Sequence, residues 1–128
     1  MRKTLAIFFV ILPAAFLFSS CVGPNEQDTP GNAIVKSYAA LSDQDSANYM
    51  ESLTQDRKEI FEALPAAQHA LFHRWNGQHA DVKILSVKQD NGVATVLYNL
   101  SITGRAPATR DSIIDRAYRG DNGWKVGY

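Results

Sequence analysis

VKILSVKQDNGVATVLYNLSI, residues 82–102, is the stretch on which the fold turns. Its second half sets Ala94, Val96, Tyr98, Leu100 and Ile102 on one side, with Thr95, Asn99 and Ser101 between them. A period of two is that of a half-buried strand, whose successive side chains point to opposite faces. The preceding Asp90-Asn91-Gly92 reads as a tight hairpin turn, because asparagine and glycine accept the positive φ such turns demand. Val82, Ile84 and Val87 supply the partner strand, with an irregularity expected at Leu85-Ser86, where the spacing breaks.

Downstream, Arg105-Ala106-Pro107-Ala108 bends the chain into a third strand over about Arg110 to Arg119. Gly120-Asp121-Asn122-Gly123 then turns it into a last strand of Trp124, Val126 and Tyr128. Upstream the period is helical. Thr29-Pro30 marks a start, with Thr29 as N-cap and proline at the first helical position, where its missing N–H costs nothing. Ile34, Tyr38 and Leu41 form one stripe; Ser46 to Leu53 forms a second short helix with Tyr49, Met50 and Leu53 on its buried edge. A third helix begins near Thr54 with Ile60, Phe61 and Leu64, kinks or restarts at Pro65, and carries Leu64, Leu71 and Trp75 on one face until Asn76-Gly77. Helices followed by an antiparallel meander of about four strands predict an α+β fold with helices on one face of the sheet.

This order resembles the cone-shaped fold of the nuclear transport factor 2 (NTF2-like) superfamily, and in particular small bacterial lipoproteins of the DUF4878, lumazine-binding-like group. The matching features are Thr29-Pro30 with Tyr38 and Leu41, the Ser42-to-Leu53 helix, Asn91-Gly92 followed by Val93-Ala94-Thr95-Val96, and Asp121-Asn122-Gly123-Trp124-Lys125-Val126. The resemblance covers residues 29–128 and implies a curved sheet wrapped around helices and a cavity. It implies no activity, since this scaffold carries enzymes, binding modules and assembly factors alike.

The amino terminus reads as an address. Met1-Arg2-Lys3 precedes an apolar run, Leu5 to Phe18, of 14 residues interrupted by Pro13. At ~1.5 Å per helical residue this run spans roughly 21 Å, short of a ~30 Å hydrocarbon core, so a secretory signal over residues 1–20 is expected rather than a membrane-spanning helix. Phe18-Ser19-Ser20-Cys21 resembles the lipobox of bacterial lipoproteins, which implies cleavage before Cys21 and its lipidation, palmitate included. Phenylalanine stands where that pattern more often has leucine; ordinary cleavage and an uncleaved anchor are the alternatives. Cys21 is the chain's only cysteine, so no internal disulfide can form. Val22, rather than aspartate, follows it, which by the enterobacterial sorting pattern favours the outer membrane over the inner. Residues 21–28, rich in polar residues with Gly23 and Pro24, form a flexible tether to the cell envelope.

The whole 128-residue chain has 13 basic and 13 acidic residues. Loss of Arg2 and Lys3 leaves 11 basic against 13 acidic, a charge of about −2, which speaks against a nucleic-acid partner. No GxSxG, P-loop or dinucleotide motif is present, and no cofactor is expected. His69 and His73, four apart on a helix, are the one metal-like pair; they lack the glutamate of HExxH, and a third ligand such as His79 or Glu62 would have to come from elsewhere. The ordinary reading is a solvated helix face.

Asp115 is the residue with chemical potential. A two-residue loop at Asp121-Asn122 pairs Arg119 with Trp124, Ala117 with Val126 and Asp115 with Tyr128, turning Asp115 inward; a three-residue loop turns Ile114, Arg116 and Tyr118 inward instead. An inward aspartate in apolar surroundings has a raised pKa and can take a proton, with Tyr98 as hydroxyl partner, in the manner of a ketosteroid isomerase. The ordinary alternative is a cross-strand charge ladder with Arg110, Arg116 and Arg119. Tyr38, Tyr98 and Trp124 are candidate ligand contacts, against the ordinary role of aromatics as core.

Three function classes follow. The first is a lipid-anchored, non-enzymatic envelope domain that binds a small ligand or an envelope protein. The second is a small isomerase or dehydratase using Asp115 as general base. The third is an inhibitor or immunity-like protein, which an exposed apolar patch on the sheet would favour. The lipidation expectation has a direct test: Cys21→Ser should abolish labelling by a fatty-acid probe and free the protein from membranes, and labelling that survives overturns it.

Overall fold

The computed structural model describes residues 28–127. The signal segment, Cys21, the tether up to residue 27, and Tyr128 with its expected pairing lie outside the described residues. Among the described residues four helices, α1 (Pro30–Ser42), α2 (Ser46–Glu51), α3 (Gln55–Glu62) and α4 (Pro65–Trp75), precede four strands, β1 (Gln78–Asp90), β2 (Val93–Gly104), β3 (Ala108–Gly120) and β4 (Gly123–Val126). The strands form one antiparallel sheet in the order β1-β2-β3-β4, the meander expected from the alternating pattern.

Helix α1 organises the core. Thr29 Oγ1 accepts from the Asn32 N–H at 3.1 Å, so the N-cap satisfies a backbone donor that the first turn leaves unpaired. Behind it, Ala33, Ile34, Ser37, Ala40 and Leu41 are buried, and the helix touches all four strands, α2 and α4. The sheet meets it with Ala94, Val96, Tyr98, Leu100, Ala117, Trp124 and Val126, all buried. A second cluster gathers Ala40, Leu41, Tyr49 and Leu53 under Phe61, Leu71, Phe72 and Trp75.

Turn chemistry sets the register. Asn91 and Gly92 have φ of 51° and 78°, and Asp90 pairs with Val93, a two-residue hairpin of the expected kind. Gly123, at φ 99°, has the Asp28 carboxylate pressed to within 2.5 Å of where a Cβ would stand, while Asp28 Oδ1 accepts from the Trp124 N–H at 3.0 Å. Only glycine allows both. The sheet bends at two bulges, which insert an extra residue and sharpen the twist. One lies between Ile84 and Ser86, where the broken period placed it. The other, opposite Tyr98–Leu100, gives β3 an extra residue at Ser112, whose φ is 56° and whose N–H donates to Asn99 Oδ1 at 2.9 Å.

Three expectations are corrected. Helix α2 stops at Glu51, because Leu53 is drawn into a parallel bridge with Val126, closed by Val126 N–H to Ser52 O at 2.7 Å and Thr54 N–H to Val126 O at 3.0 Å. The second correction concerns Leu64: at Pro65 the helix restarts, one of the two outcomes expected there, and Leu64 sits at φ −125°, ψ 70°, outside the α region as a residue before proline tends to. The two short helices then dock on Tyr49 through edge-on contacts of Phe61 at 5.4 Å and Phe72 at 5.8 Å, leaving Ile60 and Leu64 outside, each 52 % exposed. Leu64 therefore does not share the buried face of Leu71 and Trp75. The third strand starts at Ala108, two residues before the expected Arg110.

Ile34 and Ile60 make a matched pair for testing this account. Ile34→Ala, in a site with no exposed surface, is expected to cost about 2–5 kcal/mol in urea denaturation, whereas Ile60→Ala should stay within about 0.5 kcal/mol. Equal costs would contradict the assignment of the core.

Candidate functional site

Three side chains from three elements meet under the sheet's inner face. Alternation on β2 turns Tyr98 inward. The β3–β4 pairing, Arg119 with Trp124 and Ala117 with Val126 across Asp121-Asn122, is the two-residue-loop register, and it turns Asp115 to the same side opposite Val96. Two positions along β2 on that face is Tyr98, a diagonal neighbour within reach of a long side chain. The Tyr98 hydroxyl donates to Asp115 Oδ2 at 2.5 Å. From α1, one turn past Ile34, the Tyr38 hydroxyl reaches the Tyr98 hydroxyl at 2.9 Å, the two rings meeting edge-on at 5.9 Å. A carboxylate and two hydroxyls thus form one chain.

Burial dominates its electrostatics. It raises the Asp115 pKa above the ordinary 3.8, partly offset by the hydrogen bond from Tyr98 and the positive charge of Arg110. Burial likewise lifts Tyr38, and it pushes Tyr98 far above the ordinary tyrosine range with help from Asp115 and Tyr38. Both phenols therefore keep their protons, and Asp115 is the member that titrates. Proton order follows by counting donors. With Asp115 ionised, Tyr98 spends its one proton on the carboxylate, Tyr38 donates to Tyr98, and Tyr38 shows lone pairs outward. With Asp115 protonated the order can reverse, and Tyr38 becomes an outward donor.

Outward of Tyr38 lies a cleft of about 510 Å³ between α1, α4 and strands β2 and β3. Leu41, Leu71, Trp75, Leu100 and Ile102 form its walls, with the Tyr38 and Trp75 rings 5.9 Å apart. Its mouth is held by Arg105, which donates to the last carbonyls of α4: Nε to Asn76 O at 2.9 Å, and Nη2 to Arg74 O at 3.2 Å and His73 O at 3.3 Å. A cation there also suits the negative end of the helix dipole. Gln78 and Ala106 exchange two further bonds, locking the β2–β3 turn to the start of β1.

The structure unites some of the sequence candidates and separates others. Asp115, Tyr98 and Tyr38 converge, although Asp115 and Tyr98 stand behind Tyr38 rather than on the cleft wall. Trp124 does not join them. It lines a separate groove of about 370 Å³ between α1, α2 and β4, beside Asp28, Asp45 and Lys125. The expected charge ladder does not form: among the described residues no ion pair joins Asp115 to an arginine, Arg116 is opposite Thr95 on the outer face, and the Arg119 guanidinium lies 5.9 Å from the Trp124 ring. His69 and His73 stack at 6.3 Å on the exposed side of α4. No third histidine, cysteine or acid gathers with them among the described residues; His79 instead faces Asp81 at 3.6 Å. What the sequence reading missed is the cleft's mouth, Arg74, Arg105 and Arg110. The signal for Arg110 would have been the bulge, which nothing in the local residue pattern marks.

No protein-family model matches the chain, and no curated protein matches it by sequence. Solved structures do. A SEC-C motif-containing protein of Rhodopseudomonas palustris aligns at TM-score 0.61 with 13% identity, over 80% of this chain and 77% of that one. A Nostoc punctiforme protein of unknown function with a cystatin-like fold aligns at 0.54 with 11% identity, over 73% and 80%. An NTF-2 like protein of unknown function from Shewanella oneidensis aligns at 0.51 with 13% identity, over 73% and 88%. At these identities the likeness is one of fold: helices followed by a curved antiparallel sheet, the NTF2-like α+β cone.

The raised Asp115 pKa has a signed consequence. A carboxyl that holds its proton more tightly folded than unfolded stabilises the fold most below the unfolded pKa, and that contribution is lost as pH rises through the folded one. Asp115→Asn removes the titration. Its stability relative to wild type should therefore shift in its favour from pH 3 to pH 7 in urea denaturation, and a shift in the opposite direction would refute the site's electrostatics.

Proposed function

We propose that this chain is a ligand-binding domain of the bacterial cell envelope, held at the membrane by lipid on Cys21 and taking a small molecule into the cleft between α1, α4 and the sheet. The observation that carries this reading is the cleft itself. Its volume, about 510 Å³, is that of small-molecule sites, its walls are aromatic and aliphatic, and a few polar side chains line it, Tyr38, Arg74 and Arg110 among them. Between the small ligand and the envelope protein considered as partners, this geometry supports the small ligand. The lipobox-like Phe18-Ser19-Ser20-Cys21 supports the anchor, and Val22 supports outer-membrane residence. The likeness to DUF4878-type lipoproteins belongs with this reading.

A second reading, an isomerase or dehydratase, is favoured by the convergence of Asp115 with the two tyrosines. A ligand proton taken up at Tyr38 would release the Tyr38 proton to Tyr98 and the Tyr98 proton to Asp115, leaving the charge neutralised on the buried carboxyl. The base would then act at a distance of two hydroxyls. Binding without chemistry needs only Tyr38 at the wall; enzymatic work needs the whole chain.

Thermal shift with a library of small amphipathic molecules tests the first reading, because a ligand that binds only the folded state raises Tm with its concentration. Hits should lose their shift when Trp75→Ala opens the cleft wall, and a library without hits would remove the reading. For the enzyme, a bound ketone should exchange its α-protons in D₂O, and Asp115→Asn should slow this by about 10²-fold or more, in the range set by general-base catalysis, with affinity little changed. Absence of exchange at saturation leaves binding alone.

A further inference from the structure

The balanced totals of 13 basic and 13 acidic residues conceal a local excess of positive charge at the cleft. The groove between α1, α2 and β4 mixes both signs, setting Lys36 and Lys125 among Asp28, Asp43, Asp45 and Glu51, with Lys125 4.0 Å from the Glu51 carboxylate. Arg74, Arg105 and Arg110 border the cleft at Tyr38, and among the described residues no carboxylate stands on its wall; Asp115 lies behind Tyr38, where the charge of Arg110 reaches it. Arg105 is occupied by the carbonyls at the end of α4, but Arg74 and Arg110 are exposed and form no ion pair with a carboxylate among the described residues.

The position of Arg110 is a product of the β3 bulge. Tyr98 pairs with Ile113, but two residues on, Leu100 pairs with Arg110, because Ser112 is the extra residue, held by Asn99. Without it the partner of Leu100 would be Asp111, and the cleft would present an anion. A one-residue insertion exchanges a carboxylate for a guanidinium at the inner face, with the backbone of Ser112 in the left-handed region at φ 56°. A non-glycine residue rarely adopts that conformation without a partner to hold it there.

We infer that the cleft selects small amphipathic anions: an apolar body against Leu71, Trp75, Leu100 and Ile102, and a single acidic head on the Arg110 guanidinium, with Arg74 adding positive field at the mouth. This rests on the cleft being a ligand site and specifies what it takes. The guanidinium fork matches a carboxylate or phosphate head in two parallel hydrogen bonds, which an ammonium cannot do. A neutral apolar molecule would fill the same walls and leave the fork to water. A dianion without an apolar body, such as inorganic phosphate, would find the fork and lose the walls.

Calorimetric titration of the purified full-length chain with octanoate, phenylbutyrate and naphthylacetate, each paired with its neutral amide, tests this. The acids should bind about tenfold or more tighter than their amides, the usual margin of a charge-assisted hydrogen bond, and inorganic phosphate alone should not bind measurably. In Arg110→Gln, an exposed position where folding is not at stake, the acids should weaken to the level of the amides; Arg110→Lys should recover part of the margin. Acids and amides binding equally well would overturn the anion preference and leave the ligand site standing. A preference that survives Arg110→Gln would overturn the assignment to Arg110. If neither acid nor amide binds, the ligand site and the inference fall together.

Discussion

The pairing of β3 decides which chemistry this domain can hold. At one end of the strand, the two-residue Asp121-Asn122 loop fixes Ala117 opposite Val126 and so turns Asp115 inward. At the other, the Ser112 bulge turns Arg110 inward in place of Asp111. Side-chain facing has a period of two, so a slip of one residue at either point would send the whole set to the opposite face. The Asp28 carboxylate, the positive φ of Gly123 and the Asn99 side chain hold these two points, and the site depends on them more than on any residue that lines it.

Packing then selects what the register offers. Helix α1 touches all four strands and brings Tyr38 onto Tyr98, so a helix residue completes a chain begun by two strands. The buried hydroxyls satisfy each other and the carboxylate, which is how a protein interior tolerates polar groups at all. Because the phenols hold their protons and Asp115 titrates, the chain carries one switchable charge behind a cleft whose mouth is basic. The α3–α4 pair lies over the second cluster with no fully buried residue of its own, and α4 is held at its end by Arg105.

Much of this was legible in the sequence. Thr29-Pro30, Asn91-Gly92 and the alternation from Ala94 to Ile102 each describe a local backbone preference, and each element stands where its residues place it. The Leu85-Ser86 irregularity is equally local, because a break in a period of two is visible in the letters. Leu53 and Leu64 misled for the converse reason. Their apolar side chains fit a helical stripe, but a strand edge captured Leu53 and the docking of Phe61 and Phe72 on Tyr49 turned Leu64 outward.

The sequence by itself determined the helix-then-meander order, the hairpins and the two registers available to Asp115, since turn residues and periodicity act over a few positions. Its first 21 residues also carry the reading of an envelope address, a matter of local pattern. Tertiary structure alone decided between the registers, brought Tyr38 to Tyr98 across 60 positions of chain, parted Trp124 from both, and put Arg110 at the cleft. Those outcomes depend on contacts between distant segments, where the energy of closing one core chooses among local alternatives that differ by little on their own.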